Sequence, residues 1–450
     1  MNCKLNFKMV LNVMIVKNPN IDMKLKKVVS LFSGCGGFDL GFEGEFEVKR
    51  EWINEKIHPG WIARETRPGW VELARNPYET IFANDIKPSA QVSWRHNFAK
   101  KPFCKEQKTF VLDSIVDLVK KVQDKTGPLY GLKADVVTGG FPCQDFSLAG
   151  NRNGFQSQKN HKGELLGETD APSVENRGML YFWMRKVVEL VDPKCFIAEN
   201  VKGLASMTKV KETIENDFKN IGENGYLVVP AKVLHAPDFG IPQTRDRIIF
   251  YGFNKKYLKK SAIQLLESGD ISREIDPYPI KTHKRTGSGN QPELFDWDEL
   301  NAPATTRYAF ADLGEPGETT EDPDHSCFSK AKWYGRHCQG QTEVNLNGPG
   351  PTIRSEHHGN IEFRRLAGTN GGKIMDELSR GLPQRRLSVR ECARIQTFPD
   401  SFDFVLDGVN GADKVSGSDA YKLIGNAVPP LLAYHIANRL NELWPKLFLK

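Results

Sequence analysis

No run of apolar residues in this chain approaches the ~20 needed to cross a bilayer, which leaves no candidate membrane span. The apolar stretch 9–16 is short, interrupted by Asn12 and followed by Lys17 and Asn18. It lacks a small-residue cleavage site, so 1–23 reads as an N-terminal extension rather than a signal peptide, with Met23 as an alternative start. Cysteine is sparse: eight residues and no C-x-x-C pair. That spacing supports neither a disulfide framework nor a zinc site and points to a reducing, cytoplasmic compartment. The grouping His325, Cys327, His337, Cys338 fits no standard finger, so no metal is expected. Neither sign of charge dominates: 62 Lys and Arg against 56 Asp and Glu give a net charge of +6. Such a balance permits a polyanionic partner without demanding one. Internal repeats and low-complexity tracts are absent as well.

What is present begins with size. At 450 residues the chain exceeds the usual single domain. Strand-like runs at 27–32, 80–84, 135–138, 195–199, 228–234 and 247–253 alternate with helical patterns at 39–43, 89–97, 114–122, 180–190 and 209–220. This alternation predicts an α/β fold with a parallel, doubly wound sheet, in which ligands bind beyond the carboxyl ends of the strands. Past Phe253 periodicity weakens, and clusters such as Asn347-Gly348-Pro349-Gly350-Pro351 predict a smaller, irregular, β-rich domain. The expected division is 24–253, 254–384, a connecting segment 385–419, and 420–450, where a helix over 427–443 packs back on the sheet.

The chemistry-bearing residues fall at strand ends. Cys143 follows an apolar run and the turn Gly139-Gly140-Phe141-Pro142. A lone cysteine is ordinarily a small buried hydrophobe. Here glycines clear the approach and proline fixes the turn, a setting for an exposed nucleophile. The first strand runs into Phe32-Ser33-Gly34-Cys35-Gly36-Gly37-Phe38-Asp39, a glycine turn whose N–H groups suit a nucleotide-like ligand, although the G-x-G-x-x-G spacing fails at Asp39. Asp85 at the tip of the second strand suits ribose hydroxyls, Ile86 an adenine face, and Asp113 is a further acid in the same region. Glu199 ends an apolar strand, a place for a proton donor. Arg245 and Arg247 alternate in an extended segment, so they are expected to share a face that meets a phosphate or a base carbonyl.

Taken in order, Phe32-x-Gly34-x-Gly36-Gly37, Gly140-Phe141-Pro142-Cys143-Gln144, Glu199-Asn200-Val201, Gln243-x-Arg245-x-Arg247, the run from Arg386 to Pro399, and Gly425-Asn426-Ala427-Val428-Pro429 resemble the motifs of the DNA (cytosine-5) methyltransferases of prokaryotic restriction-modification type. The resemblance covers nearly the whole chain. It implies a Rossmann-like sheet that binds S-adenosyl-L-methionine and releases S-adenosyl-L-homocysteine, and a target-recognition domain for double-stranded DNA. It implies that Cys143 attacks C6 of a flipped-out cytosine, that Glu199 acts at N3, and that Arg245 contacts O2. Phe32, Gly34, Cys35, Gly36, Gly37 and Pro142 would line the methyl donor's sulfonium end. Asp85, Ile86, Asp113 and Leu180 would hold its adenosine, with Asn426 and Val428 closing the site. Gln144, Ser147, Arg177, Asn200 and Arg247 would face the DNA. Thr352 and Ile353 look like the family's Thr-Leu-type mark near the flipped nucleotide, and Arg354, Glu356 and His357 are candidate base readers. A separately acting cognate endonuclease, a monomeric state and association with the nucleoid through DNA follow from family habit. One branch of the family methylates tRNA, and a catalytically inactive DNA-binding relative is a third reading; the long recognition region and the presence of Cys143 and Glu199 argue for DNA methylation. Two stretches, 44–76 and 156–174, are longer than in compact members.

Overall fold

The computed structural model describes residues 25–99, 110–142, 179–268, 271–285, 299–317, 321–332, 342–355, 361–408 and 413–449. Cys143, Gln144, Ser147, Arg177, Glu356 and His357, with the extension 1–23 and the stretch 156–174, lie outside the described residues.

Seven strands form the central sheet: β1 (Lys26–Leu31), β2 (Tyr78–Asp85), β3 (Phe110–Leu112), β4 (Val136–Gly140), β5 (Cys195–Val201), β6 (Tyr226–His235) and β7 (Asp246–Asn254). Their order is β3-β2-β1-β4-β5-β7-β6. The interior strands carry apolar runs, such as Val28-Val29 and Val136-Val137, because both faces are covered. In β1, Val28 enters the core on one side and Val29 the core on the other. Helices Gly37–Glu43, Pro88–Phe98 and Pro430–Leu447 line the first side, and Ile115–Gln123, Leu180–Val191 and Thr208–Lys219 the second.

Three expectations change. The sheet is not wholly parallel: β7 runs antiparallel to both β5 and β6. Only residues 236–245 connect β6 to β7, too few for the crossover helix that a parallel pair requires. Strand β3 was too short to stand out as a strand in the sequence. The final helix begins at Pro430, not Ala427, since Pro429 and Pro430 carry no N–H and suit only a helix start. A separate helix, Gly417–Asn426, precedes it.

The C-terminal helix packs closely on Gly37–Glu43 because Gly41 has no side chain: a Cβ there would strike the Pro430 carbonyl. Residues 44–76 form their own three-stranded antiparallel sheet, Glu47–Lys49, Trp70–Leu73 and Ile62–Arg67. It rests on the C-terminal helix through Trp61, whose ring stands edge-on to Tyr434 with centroids 5.0 Å apart. Among the described residues of 254–384, short helices outnumber strands; Phe363–Arg365 pairs with Arg385–Arg386 in a small antiparallel sheet.

Candidate active site

The turn after β1 is built for close backbone approach. Phe32 and Gly34 adopt left-handed conformations, with φ of 53° and 55°. A Cβ on Gly34 would meet nothing within 4 Å, so this stretch of backbone is open to a ligand. The carboxylate of Asp85 secures the turn: Oδ2 accepts from the Gly34 N–H at 3.0 Å and Oδ1 from the Lys87 N–H at 3.0 Å. Burial pushes the Asp85 carboxyl above its ordinary value, and the backbone amides of Lys87, Gly34 and Ile86, with the Lys87 charge, oppose that rise. Ile86 is 39% exposed and Leu112, paired with Asp85 across β2 and β3, is 38% exposed. Two exposed apolar side chains thus lie next in sequence to the carboxylates Asp85 and Asp113. Leu112 was missed in the sequence, although its place at a strand end beside Asp113 was the available signal. Asp113 itself accepts from Lys121 Nζ at 2.6 Å and from the Ser114 N–H at 2.8 Å.

Neighbouring residues of the motif have other work. Cys35 is fully buried with its Sγ 3.8 Å from the Leu423 carbonyl oxygen, and burial pushes its thiol far up. Any contact of Cys35 with a ligand at this turn would therefore come from its backbone. A Cβ on Gly36 would enter the rings of Trp94 and Phe98, and one on Gly37 would meet the Val428 carbonyl. These two glycines serve helix packing and closure of the C-terminal segment. Asp39, where the dinucleotide spacing fails, is buried and accepts from Trp94 Nε1 at 2.8 Å. Leu180 and Val428 are buried near this end of the sheet, while Asn426 is exposed.

The second half of the site lies at the ends of β4, β5 and β7. Register sets Gly140 opposite Glu199, and Arg247 opposite Val201, so Glu199 and Arg247 project on one face. Arg247 Nε lies 2.6 Å from Glu199 Oε1, with both side chains about nine-tenths buried. Such a charge-assisted pair fixes the carboxyl's orientation. Arg247 also donates through Nη1 to the Asp246 carbonyl at 2.8 Å. Gly140 is required next to this pair, because a Cβ there would stand 2.9 Å from Glu199 Oε2. Gly140→Ala is therefore expected to displace the carboxylate and lower kcat by about ten- to a hundredfold, with the thermal midpoint nearly unchanged; equal turnover in the variant would show that Glu199's position is not critical.

Arg245 does not share that face. It is 1% exposed, and its guanidinium donates to the carbonyls of Ile353 (3.1 Å), Gly425 (2.9 Å) and Ala427 (2.8 Å). Arg245 is a knot holding the C-terminal segment to the sheet, while Arg247 is the arginine that stands beside Glu199. Gln243 joins it: Nε2 donates to Gln396 Oε1, and Gln396 Nε2 donates to the Ala427 carbonyl, each at 2.5 Å. Thr352 donates to the Thr244 carbonyl at 2.6 Å and Ile353 is wholly buried, so both side chains serve this junction. Arg354 pairs with the buried Glu362 at 3.1 Å. Asn200 is also redirected: Nδ2 donates to the Phe141 carbonyl at 3.1 Å, two residues before Cys143. It ties the end of β5 to the turn at Phe141 and Pro142.

A doubly wound sheet with an open glycine turn, a carboxylate at the tip of β2, and a buried acid–arginine pair against Gly140 is an arrangement suited to a nucleotide-like cofactor and to group transfer. The sequence profile of the C-5 cytosine-specific DNA methylases matches residues 26–442, and the chain belongs to that family. It is 27% identical over 439 residues to Type II methyltransferase M.FnuDI of Fusobacterium nucleatum, covering 92% of this chain and 94% of that protein. It is 29% identical to M.BsuRI of Bacillus subtilis (93% and 80% covered) and 28% identical to M.MthTI of Methanothermobacter thermautotrophicus (92% and 97%). A solved methyltransferase structure from Entamoeba histolytica superposes with a TM-score of 0.50 at 14% identity, over 94% of this chain and 99% of that one, a likeness of fold. No helix among the described residues is long and apolar enough to cross a membrane.

Proposed function

We propose that the chain transfers a methyl group from S-adenosyl-L-methionine to C5 of a cytosine flipped out of duplex DNA, as the modification enzyme of a restriction-modification system. The observation that carries this reading is the Glu199–Arg247 pair set against Gly140, three residues before Cys143. The relatives' names as Type II methyltransferases support the restriction-modification part.

The residues fit the methyl donor. The open backbone at Gly34 accommodates its methionine end, Asp85 has lone pairs for a ribose diol, and Ile86 and Leu112 offer apolar surface to a purine. When bound, the donor supplies an electrophilic methyl on a sulfonium. The chain must then make cytosine C5 nucleophilic. Attack of the Cys143 thiolate on C6 forms a C–S bond and moves electron density toward C5. Glu199 answers the charge that develops at N3, and the Arg247 guanidinium holds both Glu199 and the O2 edge. After C5 has taken the methyl, loss of its proton and expulsion of Cys143 restore the aromatic ring. A stacked base cannot reach these groups, so the target must leave the helix.

Incubation with a methyl-labelled donor and either duplex DNA or tRNA tests the substrate class; label in tRNA alone would overturn the DNA reading. Cys143→Ser is expected to abolish transfer to DNA while duplex binding persists, and undiminished transfer would remove Cys143 from the reaction.

A further inference from the structure

The insertion 44–76 makes a charge cluster that no step of the reaction uses. Trp70 Nε1 donates to Asp312 Oδ2 at 2.8 Å, and Asp312 Oδ1 accepts from Lys49 Nζ and from Arg394 Nη1, both at 2.6 Å. Asp400 accepts from Arg394 at 2.8 and 2.6 Å and from Arg67 Nη2 at 2.6 Å. The Trp70 ring carries Arg67 at 4.0 Å, Lys49 at 4.3 Å and Arg394 at 4.8 Å from its centroid. Lys49 and Arg394 are almost wholly buried. Burial alone would raise the Asp312 carboxyl; Arg394, Lys49 and Trp70 together hold it far below the ordinary carboxylate range. Three separate parts of the chain meet here: the insertion supplies Lys49, Arg67 and Trp70, the 254–384 region supplies Asp312, and the 385–419 segment supplies Arg394 and Asp400.

Ion pairs scattered over a surface contribute little. A buried, hydrogen-bonded cluster centred on an aromatic ring differs, since moving one part leaves desolvated charge in the others. The insertion's other side is fixed to the C-terminal helix through Trp61, Tyr434 and Phe46, so it has a footing on the catalytic sheet.

We propose that the insertion is a strut that holds the 254–384 region at a fixed orientation to the catalytic sheet, with Lys49, Arg67 and Trp70 as positioning residues for DNA binding. The proposal rests on the reading of 254–384 as the DNA-recognising region. Holding two DNA-contacting halves in place removes an ordering cost that binding would otherwise carry. The strut touches neither the methyl donor nor the reacting base, so its loss is expected in DNA affinity and not in the chemical step.

Arg67→Met removes one cation while Arg394 still pairs with Asp400. The expected result is a rise of about tenfold in KM for duplex DNA, one decade of binding. The kcat at saturating DNA and the Kd for S-adenosyl-L-methionine should stay within about twofold of the parent, and Arg67→Lys should recover most of the loss. Lys49→Met provides the same readout should Arg67→Met not fold. An unchanged KM for DNA in a folded variant would overturn the strut, as would DNA KM and donor Kd rising together. A parent enzyme that labels no DNA at all would instead overturn the functional reading beneath it.

Discussion

Replacing Arg247 with Met is expected to lower methyl transfer by about 10²–10³-fold with the fold intact, and replacing Arg245 with Met to destabilise the fold before it affects the chemical step. The two arginines are one residue apart, yet their surroundings assign them opposite roles. Arg247 spends its Nε on Glu199 at 2.6 Å. Without it the Glu199 carboxyl loses the partner that orients it, while the strand around it keeps its backbone pairing with Val201 and Leu234. Arg245 donates to three buried carbonyls. Its loss leaves those acceptors without their charged donor at the junction of three chain segments, a change worth about 3–5 kcal/mol. Urea unfolding and single-turnover transfer separate the cases. Arg247→Met should keep the parent's unfolding midpoint and lose rate; Arg245→Met should lose midpoint first. If Arg245→Met proved as stable as the parent but inactive, the base contact would return to Arg245.

That pair also marks how far the sequence could be read. Alternation put Arg245 and Arg247 on one shared face, and the pairing of Arg247 with Glu199 across β5 and β7 was not in that pattern. It failed for Arg245, which lies before β7 begins and whose partners stand 108, 180 and 182 residues away. No local pattern carries that information. The same limit applies to Asn200, whose amide acts on Phe141, and to Cys35, whose thiol is enclosed by Leu423. Conversely, β1, β4 and β5 were legible from the apolar runs that strands covered on both faces carry, and β2 from the run Ile81-Phe82-Ala83. The strand β7 was legible but its antiparallel direction was not, since strand composition does not state direction; only the short 236–245 connection does. Asp85 and Glu199 were readable as acids at the ends of apolar strands, where a carboxylate is too costly to keep without a role. Their hydrogen-bond partners needed the fold.

A final expectation concerns acid. His58 of the insertion, His283 of the segment after 281, and His435 of the C-terminal helix meet in one apolar pocket. His58 stacks on Trp61 with centroids 3.8 Å apart, and His435 stands edge-on to Trp61 at 4.6 Å and to Phe239 at 5.3 Å. Burial lowers His58 to about 4, helped by the Arg439 charge. Burial likewise lowers His283 to about 4, against a hydrogen bond to the Glu51 carbonyl. His435 is driven well below its ordinary value by burial and by the other two imidazoles. The unfolded chain takes up these protons near pH 6.5 and the folded chain does not until near pH 4. Their contribution is complete above pH 6.5 and is lost as pH falls toward 4, by about 2 kcal/mol at pH 5 for each of His58 and His283. Asp324 works the other way. Burial raises its carboxyl to about 6, so its proton returns about 1 kcal/mol to the fold over the same interval. The histidines outweigh it, and the protein should lose several kcal/mol between pH 7.5 and 5. His435→Phe keeps an aromatic ring in the pocket and removes one of the three imidazoles that the unfolded chain protonates and the folded chain does not. The variant should therefore show a shallower fall in urea midpoint over that range, and a fall as steep as the parent's would place the acid sensitivity elsewhere. Because the pocket lies where the insertion meets the C-terminal helix, acid should weaken the strut's footing before it reaches the Glu199–Arg247 pair. DNA KM is then expected to rise at pH values where kcat still holds.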